Sequence, residues 1–395
     1  MFEKLKKQKQ DKMTIENNEL KKQLRRYRVV TLYKSMAVLL VIIVLGAIVY
    51  NQWQSKTYTS YVVKSSVARV GATNSVYQAL NENILAYSKD GVSCTEGNGK
   101  ALWNITYEMQ NPILETAGDM VAVADYSGNI IYAIDASGNA TEINTNLPIR
   151  TLAVSENGVV AAVLEDTSAT WIDIYDFDGN KLAYEKSTME ITGYPIAIDF
   201  SGELLAVSYL YVDSGTMESN VTFYNFGDVG QNNLNKMVSS YTYANTIVAE
   251  IFFMDEDSVF AAGDNRIMFY SGNQKPMHQA DRLIDQEIQE VFYNEEYVGV
   301  VFLDATGVNK YSMEIYNSQG NAIEVLGFDI EYKDIIFNDT GIIIYNETEC
   351  HIYTVKGQLK YEGIFESEVK AVIPGKNMSK YYLITSDKIE AIVLQ

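Results

Sequence analysis

Residues 120–144 read MVAVADYSGNIIYAIDASGNATEIN: an apolar strand, a Ser-Gly-Asn turn, an alternating strand, and a second Ser-Gly-Asn turn into a third strand. The triplets at 127–129 and 137–139 are expected to supply the positive backbone dihedrals that tight hairpins need. Between them IIYAID alternates apolar and polar residues, as a strand packed between neighbouring sheets does. Tyr132 stands two residues before Ile134 and therefore shares its face.

The close of that pattern, an apolar strand reaching an aligned slot with a glycine at most four residues later, recurs along the chain. Ile134, Tyr175, Tyr224, Tyr270, Tyr316 and Tyr353 fill the slot, and Gly138, Gly179, Gly227, Gly272, Gly320 and Gly357 follow. The slot-to-slot steps are 41, 49, 46, 46 and 37 residues, the length of a four-stranded propeller blade and not of a helical solenoid repeat. Second strands are expected to begin near Ile84, Met120, Val159, Leu204, Val259, Tyr297, Ile342 and Tyr381. That gives eight blades, with seven as the alternative. The last repeat, KYYLITSDKIEAIVLQ, ends after its third strand, while TYTSYVVKSSVARV at 57–70 stands unassigned before the first. Pairing the two would close the ring and leave no open sheet edge. The expected fold is an all-β, eight-bladed propeller of four-stranded antiparallel blades over residues 54–395, preceded by one transmembrane helix.

Charge divides the chain. Residues 1–53 hold eleven Lys or Arg against four acids, so the net charge of −20 leaves −27 on residues 54–395. Such a domain should repel nucleic acid, whose binding needs cations that displace phosphate counterions. Between the two regimes lies MAVLLVIIVLGAIVY, Met36–Tyr50, without a charge; Thr31 to Tyr33 extend it and Trp53 caps it. With Lys34 snorkelling to the headgroups, this reads as an uncleaved signal anchor over residues 35–53. A long polar tail precedes it, and Asn51-Gln52-Trp53-Gln54 is no cleavage site. The cations place the basic tail, residues 1–34, in the cytoplasm and the propeller outside. Within the tail Met13, Leu20 and Tyr27 recur at seven, too few heptads for a coiled coil, which leaves a juxtamembrane helix against anionic lipid. Cys94 and Cys350 fall in different repeats and are expected to be separate buried thiols, because a large propeller closes its core without disulfides.

Gly99-Lys100-Ala101-Leu102-Trp103 and Tyr132-Ala133-Ile134-Asp135-Ala136-Ser137-Gly138, with Asp178-Gly179-Asn180-Lys181-Leu182 as a weaker copy, resemble the quinoprotein alcohol dehydrogenase-like (PQQ-like) propeller superfamily. Together with the anchor, the whole chain resembles a family of single-pass membrane proteins of Gram-positive anaerobic bacteria that carry such a propeller outside. The superfamily's Trp docking position is filled once, by Trp103, whereas Ile143, Tyr184 and Val325 stand there in other repeats. The resemblance implies the propeller fold, and that departure counts against a quinone cofactor.

The candidate chemistries are thin. A quinone dehydrogenase needs an aromatic platform, a Ca²⁺ held by carboxylate and amide oxygens, and an Asp base; three tryptophans, one at the membrane, do not supply it. In Asp173-Ile-Tyr-Asp176-Phe-Asp178-Gly179, placing Gly179 at the sixth position of a calcium loop puts Ile174 where the first ligand belongs, so a hairpin turn is expected. His278 and His351 lie in different repeats, which makes a zinc site or a Ser-His-Asp triad hard to assemble. Cys350 and His351 alternate to opposite faces of one strand. The domain's many acids leave a carboxylate pair for glycoside hydrolysis open, with none marked by context. Its tyrosines could form a sugar-stacking platform, although strands also hold aromatics for packing. No catalytic, cofactor-binding or metal-ligating residue is assigned, and no cofactor is expected.

The sequence leads to a non-enzymatic, membrane-anchored, extracytoplasmic propeller that serves as a protein-interaction scaffold in the cell envelope. The alternative is an extracytoplasmic sensor or binder of a glycan, peptide or cation. A third reading, a glycoside or other hydrolase, would be favoured by two close carboxylates in the central funnel.

Overall fold

Each slot residue is the last or next-to-last residue of the third strand of a blade, and the chain then turns into the fourth. The computed structural model describes residues 31–46, 56–69, 74–188, 192–338 and 341–395. In it Gly138, Gly179, Gly320 and Gly357 take φ between +72° and +85°, a region open to glycine. The residue after the slot braces the turn. Asp135 Oδ1 accepts the Asn139 amide at 2.9 Å, Asp176 Oδ1 the Asn180 amide at 2.8 Å and Asn317 Oδ1 the Asn321 amide at 2.9 Å. At Tyr175, Tyr224, Tyr270, Tyr316 and Tyr353 the ladder to the fourth strand also slips in register, a bulge that bends the strand locally.

Two turns differ from expectation. In the triplet at 127–129 the left-handed residue is Ser127, at φ 64°, and Gly128 has no positive φ. Gly227 has none either; its amide is held by Asn225 Oδ1 at 2.8 Å. The chain there makes an excursion through two short 3-10 turns, Gly230–Asn232 and Leu234–Lys236, before the fourth strand Met237–Ala244.

Eight four-stranded antiparallel sheets result. Blades 1 to 7 follow one another over residues 76–106, 112–144, 149–187, 194–244, 248–283, 288–328 and 334–364. Blade 8 joins Val369–Pro374, Lys380–Thr385 and Lys388–Leu394 to Tyr61–Ala68, with Tyr61 opposite Leu394 and Val63 opposite Ile392. Second strands begin at 83, 120, 160, 204, 258, 297, 341 and 380, each within a residue of expectation.

Middle strands such as Met120–Asp125 and Ser258–Gly263 are buried on both faces, because the blades on either side cover them. The slot tyrosines belong to this core and are no sugar platform. Tyr175 donates to Asp173 Oδ2 at 3.0 Å, Tyr224 pairs with Tyr209 at 2.9 Å and Tyr270 with Tyr243 at 2.7 Å. Turn glycines set the spacing between blades. A Cβ on Gly138 would come within 2.3 Å of Trp103 Cβ on the preceding blade, and one on Gly99 within 2.7 Å of Val67 Cγ2 on Tyr61–Ala68. The contact that joins blade 1 to blade 2 thus also joins blade 8 to blade 1.

Turns from first to second and from third to fourth strands form one face of the ring, the glycine-turn face. Connections from second to third strands and from blade to blade form the other, the loop face. First strands start at the loop face and line the central channel.

The chain divides between Thr57 and Tyr58. Residues 31–46 are helical. Among the described residues no helix is long and apolar enough to cross a membrane, so the expected span over 35–53 is not met there. Residues 47–53 of that span, and residues 1–30 of the basic tail, lie outside the described residues.

Candidate functional site

Local hydrogen bonding occupies the residues that sequence motifs draw together. Asn180 takes both Asp176 oxygens, at 2.8 and 3.0 Å, and Lys181 Nζ holds Asp173 at 2.6 Å. Asp173 to Gly179 is therefore a braced hairpin and not a calcium loop. His278 lies on the outer strand of blade 5; His351 lies on blade 7, with Nε2 3.9 Å from both Glu349 and Glu362. Cys94 on blade 1 and Cys350 on blade 7 are buried free thiols. Burial pushes Cys94 up to about 11 and raises Cys350 as well, which keeps both in the unreactive protonated form. Among the described residues no three His, Cys, Asp or Glu side chains are placed to hold a metal ion.

Acids gather on the first strands. Alignment of the blades through their first-to-second strand pairing puts Glu250, Glu290 and Asp334, of blades 5, 6 and 7, at one register position. Glu115 and Asp199, of blades 2 and 4, share another position, two residues deeper and on the same side of the strand. A bulge interrupts the first strand near its start in blades 3, 4, 5, 6 and 8. Bulges of this kind re-aim side chains and concentrate beside functional sites.

Glu115, Asp199 and Glu250 line a channel cavity of ≈ 250 Å³ together with Thr151, Phe252 and Tyr293. Asp199 is fixed, its Oδ1 accepting the Phe200 amide at 2.8 Å and its Oδ2 the Phe253 amide at 2.6 Å. Burial pushes the Asp199 carboxyl up to about 6 against the pull of those amides, and burial with the Asp199 charge pushes Glu115 up to about 7. Burial and then Glu290 raise Glu250; burial and then Asp334 raise Glu290. Burial also raises Asp334, whose Oδ2 accepts the Tyr345 hydroxyl at 3.2 Å. Tyr293 stacks on buried Phe252 with 3.4 Å between ring centroids and leaves 48% of its surface open to the channel. Burial, with the charges of Asp199, Glu115 and Glu250, suppresses ionisation of its hydroxyl. Both Glu115 and Glu250 are exposed to the water of the channel, which screens the charge that Asp199 sets against the first and Glu290 against the second.

This is the funnel in which two close carboxylates would favour hydrolysis. A hydrolytic pair needs environments that drive its two pKa values apart, whereas Glu115 and Asp199 are driven the same way and Asp199 has both oxygens bound to backbone amides. No lysine or arginine lines the cavity.

On the loop face, blades 4 to 7 expose apolar side chains. The hairpin of blade 4, Leu204–Asp213 and Thr216–Asn225, has the longest strands among the described residues and carries Val212 opposite Met217 near its tip. Leu283 ends blade 5, Val308 stands 79% exposed in a connection of blade 6, and Ile364 ends blade 7. Three cations of this sector are held in ion pairs: Arg266 with Asp281 at 3.1 Å, Lys310 with Glu331, and Lys333 with Glu347 at 3.3 Å. Glu250, Glu290 and Asp334 lie toward the same face, at the channel mouth of the same blades.

A family of unknown function (DUF5711) matches residues 54–394, and the chain belongs to that family. Among solved structures it is similar to BamB from Moraxella catarrhalis, with 11% identity and a TM-score of 0.50 over 85% of this chain and 100% of that one. It is also similar to AztD from Citrobacter koseri, with 11% identity and a TM-score of 0.52 over 77% of this chain and 90% of that one. Identities this low carry the propeller fold and nothing finer. No curated protein sequence matches the chain.

Proposed function

We propose that this member of the DUF5711 family is a non-enzymatic propeller, tethered to the membrane on its extracytoplasmic side, that recruits protein partners in the cell envelope through its loop face. The observation that carries the reading is the sector of blades 4 to 7, where Val212, Met217, Leu283 and Val308 stand exposed around an acidic channel mouth. That combination suits a basic segment with apolar anchors: the anchors bury against the tips, and the acids steer the cations. Loops held on a rigid scaffold are where recognition concentrates. Tyr58, which bridges to Tyr361 near the glycine-turn face, brings the chain into the ring away from the loop face. The tether and its sidedness rest on the sequence, with eleven cations before Met36–Tyr50 and only Lys56 shortly after.

Affinity capture from gently solubilised membranes tests the reading, using the native chain and a variant combining Val212→Ser, Val308→Ser and Glu290→Gln. A reproducible partner is expected, with recovery falling ~10-fold or more in the variant. Equal recovery by both chains refutes the docking face. No partner at all, together with turnover of a substrate by the purified chain, refutes the scaffold. Protease added to intact cells should digest residues 54–395; digestion only after lysis would refute the sidedness.

A further inference from the structure

Fourth strands form the outer edge of each blade, and folded proteins guard such edges against pairing with another chain by charged side chains, bulges or short strands. Those of blades 2, 3, 5, 6, 7 and 8 carry Glu142, Lys186, Asp281, Glu324, Glu362 and Lys64. The fourth strand of blade 4, MVSSYTYA, runs eight residues from Met237 to Ala244 without a charge. Ala101–Thr106 of blade 1 is uncharged too, but has six residues. Residues 239–243 bond through the backbone to Thr216–Asn225 alone among the described residues, so their remaining N–H and C=O groups face outward. Ser240 and Thr242 stand exposed on one side of the strand. In a domain of net charge −27, a neutral strip of this length is where two copies meet least repulsion.

We propose that two copies of this chain pair through Met237–Ala244, antiparallel about a two-fold axis at Tyr241, so that the two blades become one continuous sheet. A two-fold axis normal to the sheet leaves each side chain on its own side, and it closes the pairing at two copies. With Tyr241 on the axis, Ser240 lies opposite Thr242 of the second copy on the exposed side. Hydroxyl pairs of this kind stabilise a ladder. The start of one strand, with Lys236, comes alongside the end of the other, where Glu218 is the ladder partner of Ala244. Lys236 makes no ion pair among the described residues: its Nζ lies 4.9 Å from the centroid of the Phe226 ring, and Glu185 of blade 3 feels its charge without contact. The Tyr211 hydroxyl, 2.9 Å from Glu218 Oε2, orients that carboxylate. Opposite charges therefore meet twice, once on each side of the axis. Twist of roughly 20–25° between neighbouring strands turns a fourth strand about 60–75° from the first. The two-fold axis then runs nearer the ring axis than across it, and both copies present their loop faces in one direction.

Sedimentation equilibrium of the full chain in density-matched detergent tests the pairing. A concentration-dependent dimer is expected, and a variant combining Ser240→Lys and Thr242→Lys, which sets lysines directly opposite one another on both sides of the axis, should raise its dissociation constant ~10-fold or more. Lys236→Glu should weaken the dimer, and adding Glu218→Lys should restore it. Oxidation of a mixture of Ser240→Cys and Thr242→Cys chains should give an intermolecular crosslink, whereas neither chain alone should, because each cysteine then lies beyond disulfide reach of its own copy. Thermal melts report whether each variant folds; if the lysine pair does not, the two cysteine chains decide the question. A monomer at every concentration, a dimer unmoved by the lysine pair, or equal crosslinking by the mixture and the single chains would overturn the pairing. So would a monomer that captures a foreign protein through Ser240 and Thr242. The pairing leaves the loop face open and does not rest on the partner reading, so either idea can fail while the other stands.

Discussion

Glu115 is the residue at which the channel can be read most directly. Its proton is held up to about 7 in the folded chain by burial and by Asp199, against about 4.3 for a free glutamate. The folded state therefore binds this proton more tightly than the unfolded state. Its contribution is most favourable below about pH 4 and is lost as pH rises through about 7, with Asp199 adding the same sign up to about 6. Glu115→Gln should accordingly raise the unfolding free energy at about pH 8 by ~1 kcal/mol, a figure discounted because water reaches the carboxyl, and should change little at about pH 4. Denaturant unfolding at the two pH values measures this, and a loss of stability at about pH 8 would show that the charge is welcomed and not merely tolerated. None of the channel acids was legible in the sequence. The slot tyrosines mark third strands, but a bulge at Ala249 or Gln289 shifts the count along first strands, so Glu250 and Glu290 align only once the ladders are known. The braces at Asp135, Asp176 and Asn317 do have a local signature, since each is followed four residues later by Asn139, Asn180 or Asn321.

Among the elements, the glycine turns do more than reverse the chain. Gly138 and Gly179 share a left-handed φ, but a Cβ on Gly138 would strike Trp103 at 2.3 Å whereas one on Gly179 would meet Thr141 Cγ2 at 3.5 Å. Gly138→Ala should therefore cost about 2–4 kcal/mol, from backbone strain and overpacking together, and Gly179→Ala about 1 kcal/mol from strain alone. Chemical denaturation of both variants checks the difference, and equal costs would remove the spacing role from the Trp103 contact. Strand positions were legible because alternation and apolar runs are local properties. The excursion after Phe226 was not: Gly227 matches the pattern in sequence, yet Asn225 holds the chain in another turn. Ser127 misled in the same way, as the turn places its left-handed residue one position before the glycine.

At the scale of the molecule, a partial repeat at each end was the clearest sign of a ring, because three strands at the carboxyl end and one stray strand near the amino end make a single blade. Less legible was what the ring presents, since acids from separate blades and apolar tips from separate connections meet only when the blades are arranged. Tyr61–Ala68 completes the last blade as its fourth strand, and the ring closes through it. Val63 and Ile392 stand opposite each other in that ladder, within the roughly 4.4–6.8 Å Cα separation that a disulfide accepts. Oxidation of a Val63→Cys, Ile392→Cys double variant should give an intramolecular crosslink in the folded chain, leaving Cys94 and Cys350 free, while Val63→Cys with Ile315→Cys of blade 6 should give none. A folded chain that crosslinks neither pair, or both equally, would contradict the closed ring.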